Sequence, residues 1–223
     1  MKKVSLIIIL LCAVNSFVFG QKTAIYTHKN ATYNSALELY DKEKFSAAQE
    51  KFGTVLKQLI DHKSEIAVNA KYYHAICGLA LFNLDAENLL IEFIYAYPES
   101  PKVKLAHFHL GRYQFRKKKY DKATEWFNKI NIYDLNADEL AEYYFKTGYS
   151  YFQEEKLEQA SKAFYEIKDA DTKYTAPSRY YYGHIAYLQQ KYQSALETFL
   201  TLSNNEKFSP IVPYYITQIY FLQ

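Results

Sequence analysis

The sequence repeats a pair of apolar positions that lie four residues apart. A small residue is followed four positions later by a large one, which places both on the same face of an α-helix. The five pairs are Ala48/Phe52, Ala86/Leu90, Ala123/Phe127, Ala160/Phe164 and Ala195/Phe199. Successive alanines lie 38, 37, 37 and 35 residues apart. A nearly constant period of this length indicates a chain built from stacked structural repeats.

Each repeat predicts two helices joined by a short polar turn. In the last three repeats a glycine stands twelve positions before the alanine, at Gly111, Gly148 and Gly183. A polar run such as Lys117-Lys118-Lys119 separates this glycine-bearing first helix from the second helix. The small residues are needed because a larger side chain would push paired helices beyond their usual spacing of about 8–10 Å.

The predicted fold class is all-α, with five helix pairs and one unpaired C-terminal helix. The predicted repeats are about 31–65, 66–101, 102–137, 138–174 and 175–209, with a partial repeat at 210–223. The predicted helices are about 31–42, 45–60, 66–83, 86–96, 102–116, 120–130, 138–153, 157–168, 176–190, 192–203 and 211–222. The prolines fall between repeats or in the first turn of a helix, where proline is tolerated.

The first twenty residues predict a secretory signal peptide. Lys2 and Lys3 precede an apolar run that begins at Val4, and Gly20 is a small residue at the cleavage position. The run is short for a transmembrane span, although an uncleaved anchor is the alternative. Residues 21–30 are then a leader before the repeats. Cys12 is assigned to the signal peptide, because Leu11 precedes it where a lipid-attachment site would have a small residue.

Composition narrows the possible classes of partner and chemistry. Removing Lys2 and Lys3 lowers the formal net charge from +3 to +1, so there is no electrostatic case for nucleic-acid binding. Cys77 is the single cysteine after cleavage, so no internal disulfide is expected. No later run is long and apolar enough to predict a transmembrane segment. Aromatic residues make up 18% of the chain, and the 6 glycines are few for an α/β enzyme.

These motifs resemble the tetratricopeptide repeat (TPR) family. The motifs that match it best are Leu110-Gly111-Arg112-Tyr113 with Tyr120-Asp121-Lys122-Ala123 and Trp126-Phe127, and Thr147-Gly148-Tyr149-Ser150-Tyr151 with Ala160 and Phe164. Tyr97-Pro98-Glu99-Ser100-Pro101 is similar to the turn between repeats in exported members, typified by outer-membrane assembly lipoproteins and cell-division coordinators of Gram-negative bacteria. The resemblance implies a right-handed α-α superhelix, or TPR solenoid. The second repeat departs most from the family pattern, since Ala75 stands eleven rather than twelve residues before Ala86.

The resemblance also implies which residues face a partner. In the family, the first helix of each repeat lines a concave groove, with positions three before, one after and four after its small residue facing the ligand. These positions carry aromatic rings in every repeat, and Leu37, Tyr40, Ile76 and Leu79 also occupy them. The predicted groove residues are Tyr33, Tyr72, Phe108, Arg112, Phe115, Phe145, Tyr149, Phe152, Tyr180, His184 and Tyr187. The alternative is that some of these rings fill the space between helices. A free C-terminal carboxylate is not favoured as the ligand, because the family grips it with Lys and Asn, and Arg112 is the only counterpart.

The sequence shows no pattern that predicts catalysis. It has no Gly-rich phosphate loop, no G-x-S-x-G and no H-E-x-x-H motif. His74 and Cys77 could supply two metal ligands, too few for a site. Asp169 and Asp171 are expected in a solvated turn, and Asn30 is expected to cap the first helix. We therefore expect no enzyme activity, no cofactor and no metal.

The function predicted from the sequence is a protein-interaction scaffold of the bacterial cell envelope, in the periplasm or at the outer membrane. It would bind a protein or peptide along the aromatic groove. One alternative is the extracytoplasmic sensory region of a longer membrane signalling protein, and a lower-ranked one is a glycan-binding module. The helix at 211–222 ends the chain on an apolar edge. Further repeats or another domain are therefore expected beyond Gln223, with a domain-swapped or dimeric end as the alternative.

Overall fold

The computed structural model describes residues 30–223, so the predicted signal peptide and most of the leader lie outside the described residues. Within that range the chain forms eleven α-helices, one 3-10 helix at Ile132–Asp134, and no strand. The helices are α1 Ala31–Asp41, α2 Phe45–Gln58, α3 Glu65–Leu81, α4 Ala86–Ala96, α5 Lys102–Arg116, α6 Tyr120–Phe127, α7 Ala137–Gln153, α8 Leu157–Tyr165, α9 Thr175–Leu188, α10 Tyr192–Leu200 and α11 Val212–Leu222. The described residues divide into two compact units, of which the first ends at Ala86 and the second is Glu87–Gln223.

The predicted all-helical fold is confirmed, and each predicted helix is present. The largest differences fall at the ends of the second helices in the later repeats. Helices α6, α8 and α10 end at Phe127, Tyr165 and Leu200, three residues before the predicted ends. The residues that follow are in turns, which still bring Ile167 and Leu202 into the core. The predicted helices are too long because the apolar pattern of the sequence continues into these turns, whose side chains are also buried.

The small and large residues of the repeat are fully buried, as predicted. Ala123/Phe127, Ala160/Phe164 and Ala195/Phe199 in the second unit are all 0% exposed. Each phenylalanine lies against the glycine sixteen residues before it, on the first helix of the same pair. A Cβ at Gly111 would lie 2.4 Å from Cε1 of Phe127, closer than carbon atoms can approach. Gly111 therefore permits the close contact between α5 and α6.

The first unit packs around the same type of pair. Ala48 and Phe52 on α2 are 0% exposed, and the Phe52 ring stacks on Tyr73 of α3 with centroids 5.3 Å apart. A polar contact supplements this packing: the Gln49 side chain donates to the carbonyl oxygen of His74 and accepts from Asn83. These contacts fix α2 against α3 and the turn that follows α3.

The turns inside the helix pairs use a left-handed residue that is not glycine. Glu43, Lys118, Glu155 and Gln190 have φ between 56° and 60°, two positions before the second helix begins. In the second pair the left-handed residue is Phe82, and α4 begins four positions after it. This different turn explains why the second repeat matched the sequence pattern least well.

Asn136 and Asn30 precede their helices in different ways. Asn136 begins α7 with a capping box, in which its side chain accepts from the Glu139 N–H and the Glu139 carboxylate accepts from the Asn136 N–H. The prediction that the Asn30 side chain caps α1 is wrong, because Asn30 makes no such hydrogen bond. Its ψ of 22° departs from the extended backbone that directs a cap side chain toward the helix.

Candidate partner-binding surface

In the first unit, the predicted groove positions divide into buried and half-buried residues. Tyr33 on α1 is half-buried, with its ring 6.0 Å from the Phe52 ring in an edge-to-face contact. Tyr72 on α3 is 2% exposed, and Ile76 is 4% exposed. The assignment of Tyr72 to an accessible groove is therefore wrong, because its ring is core.

In the second unit, Phe108 is also a core residue rather than a surface one. It is 1% exposed, and its ring centroid lies 6.2 Å from that of Phe127. The guanidinium of Arg112 lies over the Phe108 ring at 5.5 Å and so covers it from outside. Phe108 supports the surface from below and cannot itself contact a partner.

The other predicted groove rings of the second unit are half-buried and lie in a row, in which most rings contact another member. Phe115 and Tyr149 have centroids 5.6 Å apart, and Phe152 and His184 are 5.7 Å apart. The row runs along the first helices α5, α7 and α9. Its members are Phe115, Phe145, Tyr149, Phe152, Tyr180, His184 and Tyr187, to which we refer as the aromatic row. Part of each ring fills space between helices, and part remains open.

Two tyrosines that the positional prediction missed link the aromatic row. Tyr181 lies 5.3 Å from Tyr149 and 5.2 Å from Phe152, centroid to centroid. Tyr215 on α11 lies 5.3 Å from His184 and 5.4 Å from Tyr187. Tyr181 stacks on Phe164 and Tyr215 stacks on Phe199, as Tyr73 does on Phe52. The stacked tyrosine follows its phenylalanine by 21, 17 and 16 positions, so no fixed spacing in the sequence signalled it; Tyr143, 16 positions after Phe127, meets that ring edge-on instead.

The hydroxyls of Tyr181 and Tyr215, the two tyrosines that link the row, have a raised pKa and stay protonated at neutral pH. Burial, together with the neighbouring hydroxyl of Tyr149, raises the pKa of Tyr181 to about 12. Burial, with the hydrogen-bonded Tyr180, likewise raises the pKa of Tyr215 to about 12. These two hydroxyls already bond to Tyr149 and Tyr180 within the protein, and they supply no charge.

A compact charge cluster flanks the aromatic row between α5 and α7. Arg112 Nε donates to Glu142 Oε1 at 2.8 Å, and the ammonium of Lys146 contacts the same oxygen. Lys146 also lies 5.3 Å from the centre of the Phe115 ring. Burial lowers the pKa of Lys146, Glu142 raises it, and Arg112 and Arg116 lower it further. Two cations thus share one carboxylate, which leaves a surplus of positive charge beside the rings.

Two clefts lie elsewhere on the second unit. One, of about 470 Å³, lies between the start of α7 and the segment before α9, and is lined by Asn136, Asp138, Glu139, Glu142, Asp171, Lys173 and Tyr174 among others. The other, of about 410 Å³, lies beside α8 and is lined by Glu158, Ser161, Lys162, Tyr165, Glu166, Tyr182, Gln189 and Lys191. Both are lined mainly by polar side chains, and the first adjoins the charge cluster through Glu142.

The other residues that the sequence suggested for chemistry do not form a reactive site among the described residues. Burial raises the pKa of the Cys77 thiol to about 12, so it is a weak nucleophile. Asp169 pairs with Lys168 and Arg179 in an exposed turn. Lys117 of the basic run lies 3.9 Å from Glu87. Across residues 30–223, no three His, Cys, Asp or Glu side chains converge as a metal site would require.

No helix among the described residues is both long enough and apolar enough to cross a membrane. This finding concerns residues 30–223 and leaves the predicted signal peptide untested.

The family comparison agrees with the repeat pattern. A tetratricopeptide repeat family model matches residues 82–137. No curated protein matches the chain. Among solved structures, the chain is similar to the TPR-like repeats of a protein described as a kinesin light chain of Podosopora anserina. The TM-score is 0.54, with 11% identity, and 86% of this chain and 94% of that chain are covered.

A variant of the same repeats gives a TM-score of 0.55 at 11% identity, covering 80% of this chain and 96% of that chain. At an identity this low, the similarity shows a shared fold alone. The resemblance to tetratricopeptide repeats is confirmed by the family match and by the fold, while the exported bacterial type stays a prediction.

Proposed function

We propose that this chain is a non-enzymatic protein-interaction scaffold that binds an extended segment of a partner protein along the aromatic row of the second unit. Repeats of this type generally serve as scaffolds, and that coarser function follows from the family match and the fold. The observation that carries the finer proposal is the row of half-buried rings from Phe115 to Tyr187, joined through Tyr181 and Tyr215, with the charge cluster at its edge.

The packing of the row favours binding without a large entropic cost. A ring that already touches two neighbours has little rotamer freedom left to lose when a ligand covers its open edge. Tyr149 illustrates this, because its ring contacts Phe115, Tyr120 and Tyr181. Tyrosine also presents a wide apolar surface with a hydroxyl at its tip, so that it can contact both apolar and polar parts of a peptide.

The charge cluster indicates which partner segments fit. The side chain of Arg112 is 40% exposed, and a single carboxylate, Glu142, pairs with both Arg112 and Lys146. An acidic residue in the partner would offset this surplus of positive charge, and its neighbours would cover the rings. We therefore propose a partner segment that combines Asp or Glu with large apolar residues.

Selection of displayed random peptides on the purified chain tests this proposal. We expect enriched peptides with acidic and large apolar residues, whose affinity falls at least tenfold in Tyr149→Ala and in Arg112→Ala. Tyr165→Ala is the matched control, because Tyr165 is an exposed tyrosine on α8 that is outside the row. Peptides that bind all three variants equally would exclude the aromatic row as the binding site.

We also propose that the chain is exported to the bacterial envelope. The proposal is supported by Lys2, Lys3, the apolar run after them and Gly20. Cell fractionation with sequencing of the mature N-terminus tests it, with an N-terminus at Gln21 in the periplasmic or outer-membrane fraction as the expected result. An unprocessed chain in the cytosolic fraction would contradict the proposal.

A further inference from the structure

The cleft of about 410 Å³ beside α8, which we call the α8 cleft, has two tyrosine rings in its wall. Tyr165 on α8 and Tyr182 on α9 have ring centroids 5.9 Å apart, at an interplanar angle of 49°. The ammonium of Lys168 lies 4.8 Å from the centre of the Tyr165 ring and 5.8 Å from that of Tyr182, which holds both rings in place. Tyr165 is nevertheless 58% exposed, so most of its ring is available to a ligand.

The charged residues of the α8 cleft alternate in sign. Glu158, Lys162 and Glu166 follow one another at intervals of four residues, which places them on successive turns of one helix face. Lys191, just before α10, adds a second ammonium to the lining. Two carboxylates and two ammoniums leave the cleft with no net charge. Within residues 30–223 none of these four groups forms an ion pair, so each keeps its hydrogen-bonding capacity for a ligand.

This arrangement disfavours both charged and apolar ligands. An anion beside Lys162 would meet a carboxylate one helical turn away on either side, so repulsion offsets the attraction. An apolar ligand would remove water from four charged groups without replacing their hydrogen bonds. A hydroxyl group both donates and accepts, and it can therefore pair with a carboxylate or with an ammonium. A ligand that combines several hydroxyl groups with an apolar face fits this lining best.

We propose that the α8 cleft binds a neutral oligosaccharide, with sugar rings lying against Tyr165 and Tyr182. The C–H groups of a sugar ring form an apolar face that can cover an aromatic ring, while its hydroxyl groups pair with the alternating charges. Ser161 and Gln189, both half-buried, supply neutral hydrogen-bonding groups in the same lining. The volume of about 410 Å³ lies in the range of roughly 300–1,000 Å³ that is usual for small-molecule sites, and it suits a disaccharide.

The α8 cleft is separate from the aromatic row, since no residue of the row belongs to its lining. Sugar binding in the cleft and peptide binding along the row are therefore independent, and either proposal can fail without the other. Tyr165→Ala distinguishes them, because it is expected to leave peptide binding intact and to weaken sugar binding.

NMR titration of the purified chain with maltose, cellobiose and N,N′-diacetylchitobiose tests the proposal. We expect at least one of the three to shift the amide resonances of Tyr165, Tyr182 and Gln189. Tyr165→Ala should weaken that binding by roughly fivefold or more, because it removes a ring that contacts the sugar. Tyr95→Ala is the matched control, since Tyr95 is a 77% exposed tyrosine on α4, outside the cleft. Circular dichroism verifies that both variants are folded.

Charge selectivity separates a sugar site from a site for ion-pairing ligands. The dipeptide lysylglutamate carries an ammonium and carboxylates, and it should leave the same resonances unshifted at the concentration that saturates the sugar. Glu166→Gln should keep sugar affinity within about twofold of the parent chain, because an amide still hydrogen-bonds to hydroxyl groups. The proposal is overturned if none of the three saccharides shifts these resonances, if the dipeptide shifts them equally, or if Tyr165→Ala or Glu166→Gln departs from its expected affinity.

Discussion

Helices α3 and α7 are both first helices of a repeat and both 17 residues long, yet they are buried to different extents. Eight residues of α3 are buried: Ala67, Ala70, Tyr72, Ala75, Ile76, Cys77, Gly78 and Leu79. Four residues of α7 are buried: Ala141, Thr147, Gly148 and Ser150. The same repeat position is therefore core in α3 and half-open in α7.

This difference shows that the position of a residue in the repeat determines the helix face on which its side chain lies, but not which other side chains cover it. Tyr72 on α3 and Phe145 on α7 occupy equivalent predicted positions, but Tyr72 is core and Phe145 belongs to the aromatic row. Glu142 and Lys146 give α7 charged residues beside the row, whereas the buried face of α3 is apolar. A candidate binding surface must then be sought on α7 and not on α3.

The largest expected effect separates Tyr72 from Tyr149. Tyr72→Ala should lower the free energy of unfolding by about 3–5 kcal/mol, because it removes a ring that is 2% exposed from the core. Tyr149→Ala should lower it by about 1–2 kcal/mol, since part of that ring already contacts water. Urea denaturation of both variants measures the difference. Equal losses would mean that α7 is as tightly packed as α3.

A smaller effect is expected for the glycine on each helix. A Cβ at Gly78 would lie 2.8 Å from Cβ of Ala86, whereas one at Gly148 would lie 3.0 Å from the Phe164 ring. Gly78→Ala should destabilise by about 1–3 kcal/mol through overpacking. Gly148→Ala should stay within about 1 kcal/mol of the parent, because better helix propensity offsets a shift of the ring. Thermal unfolding of the pair tests this order, and a reversed order would contradict it.

The smallest effect concerns the left-handed residue after each helix. Glu155 follows α7 at φ 60°, and Glu155→Gly should raise the free energy of unfolding by about 0.5–1 kcal/mol by relieving the contact between Cβ and the backbone. Phe82 follows α3 at φ 58° and is half-covered, so Phe82→Gly should gain less because it also removes the ring. Chemical denaturation compares the two, and Glu154→Gly, at ordinary negative φ, is the control that should lose stability.

Much of the fold was predictable because the same pattern of small and large residues occurs in each of the five repeats. Ala48/Phe52 and its later counterparts recur with a fixed separation, and each pair reports the same helix contact. The turns were located by their polar residues, but their left-handed backbone was not, since Lys118 and Glu155 stand where glycine would have signalled it. The residue type at Asn30 predicted a side-chain cap that the structure lacks, because capping depends on the ψ that the chain adopts there.

The sequence by itself determined the helices, their pairing and the aromatic character of the first helices, because these follow from residue size at short separations along the chain. Only the tertiary structure decided which rings are accessible. Phe108 is covered by Arg112 and Phe127, whereas Phe115 and Tyr149 keep open edges. Tyr181 and Tyr215 link the row from positions outside the family pattern. Accessibility depends on side chains that are distant in sequence, and their distances from each ring are fixed only when the helices pack.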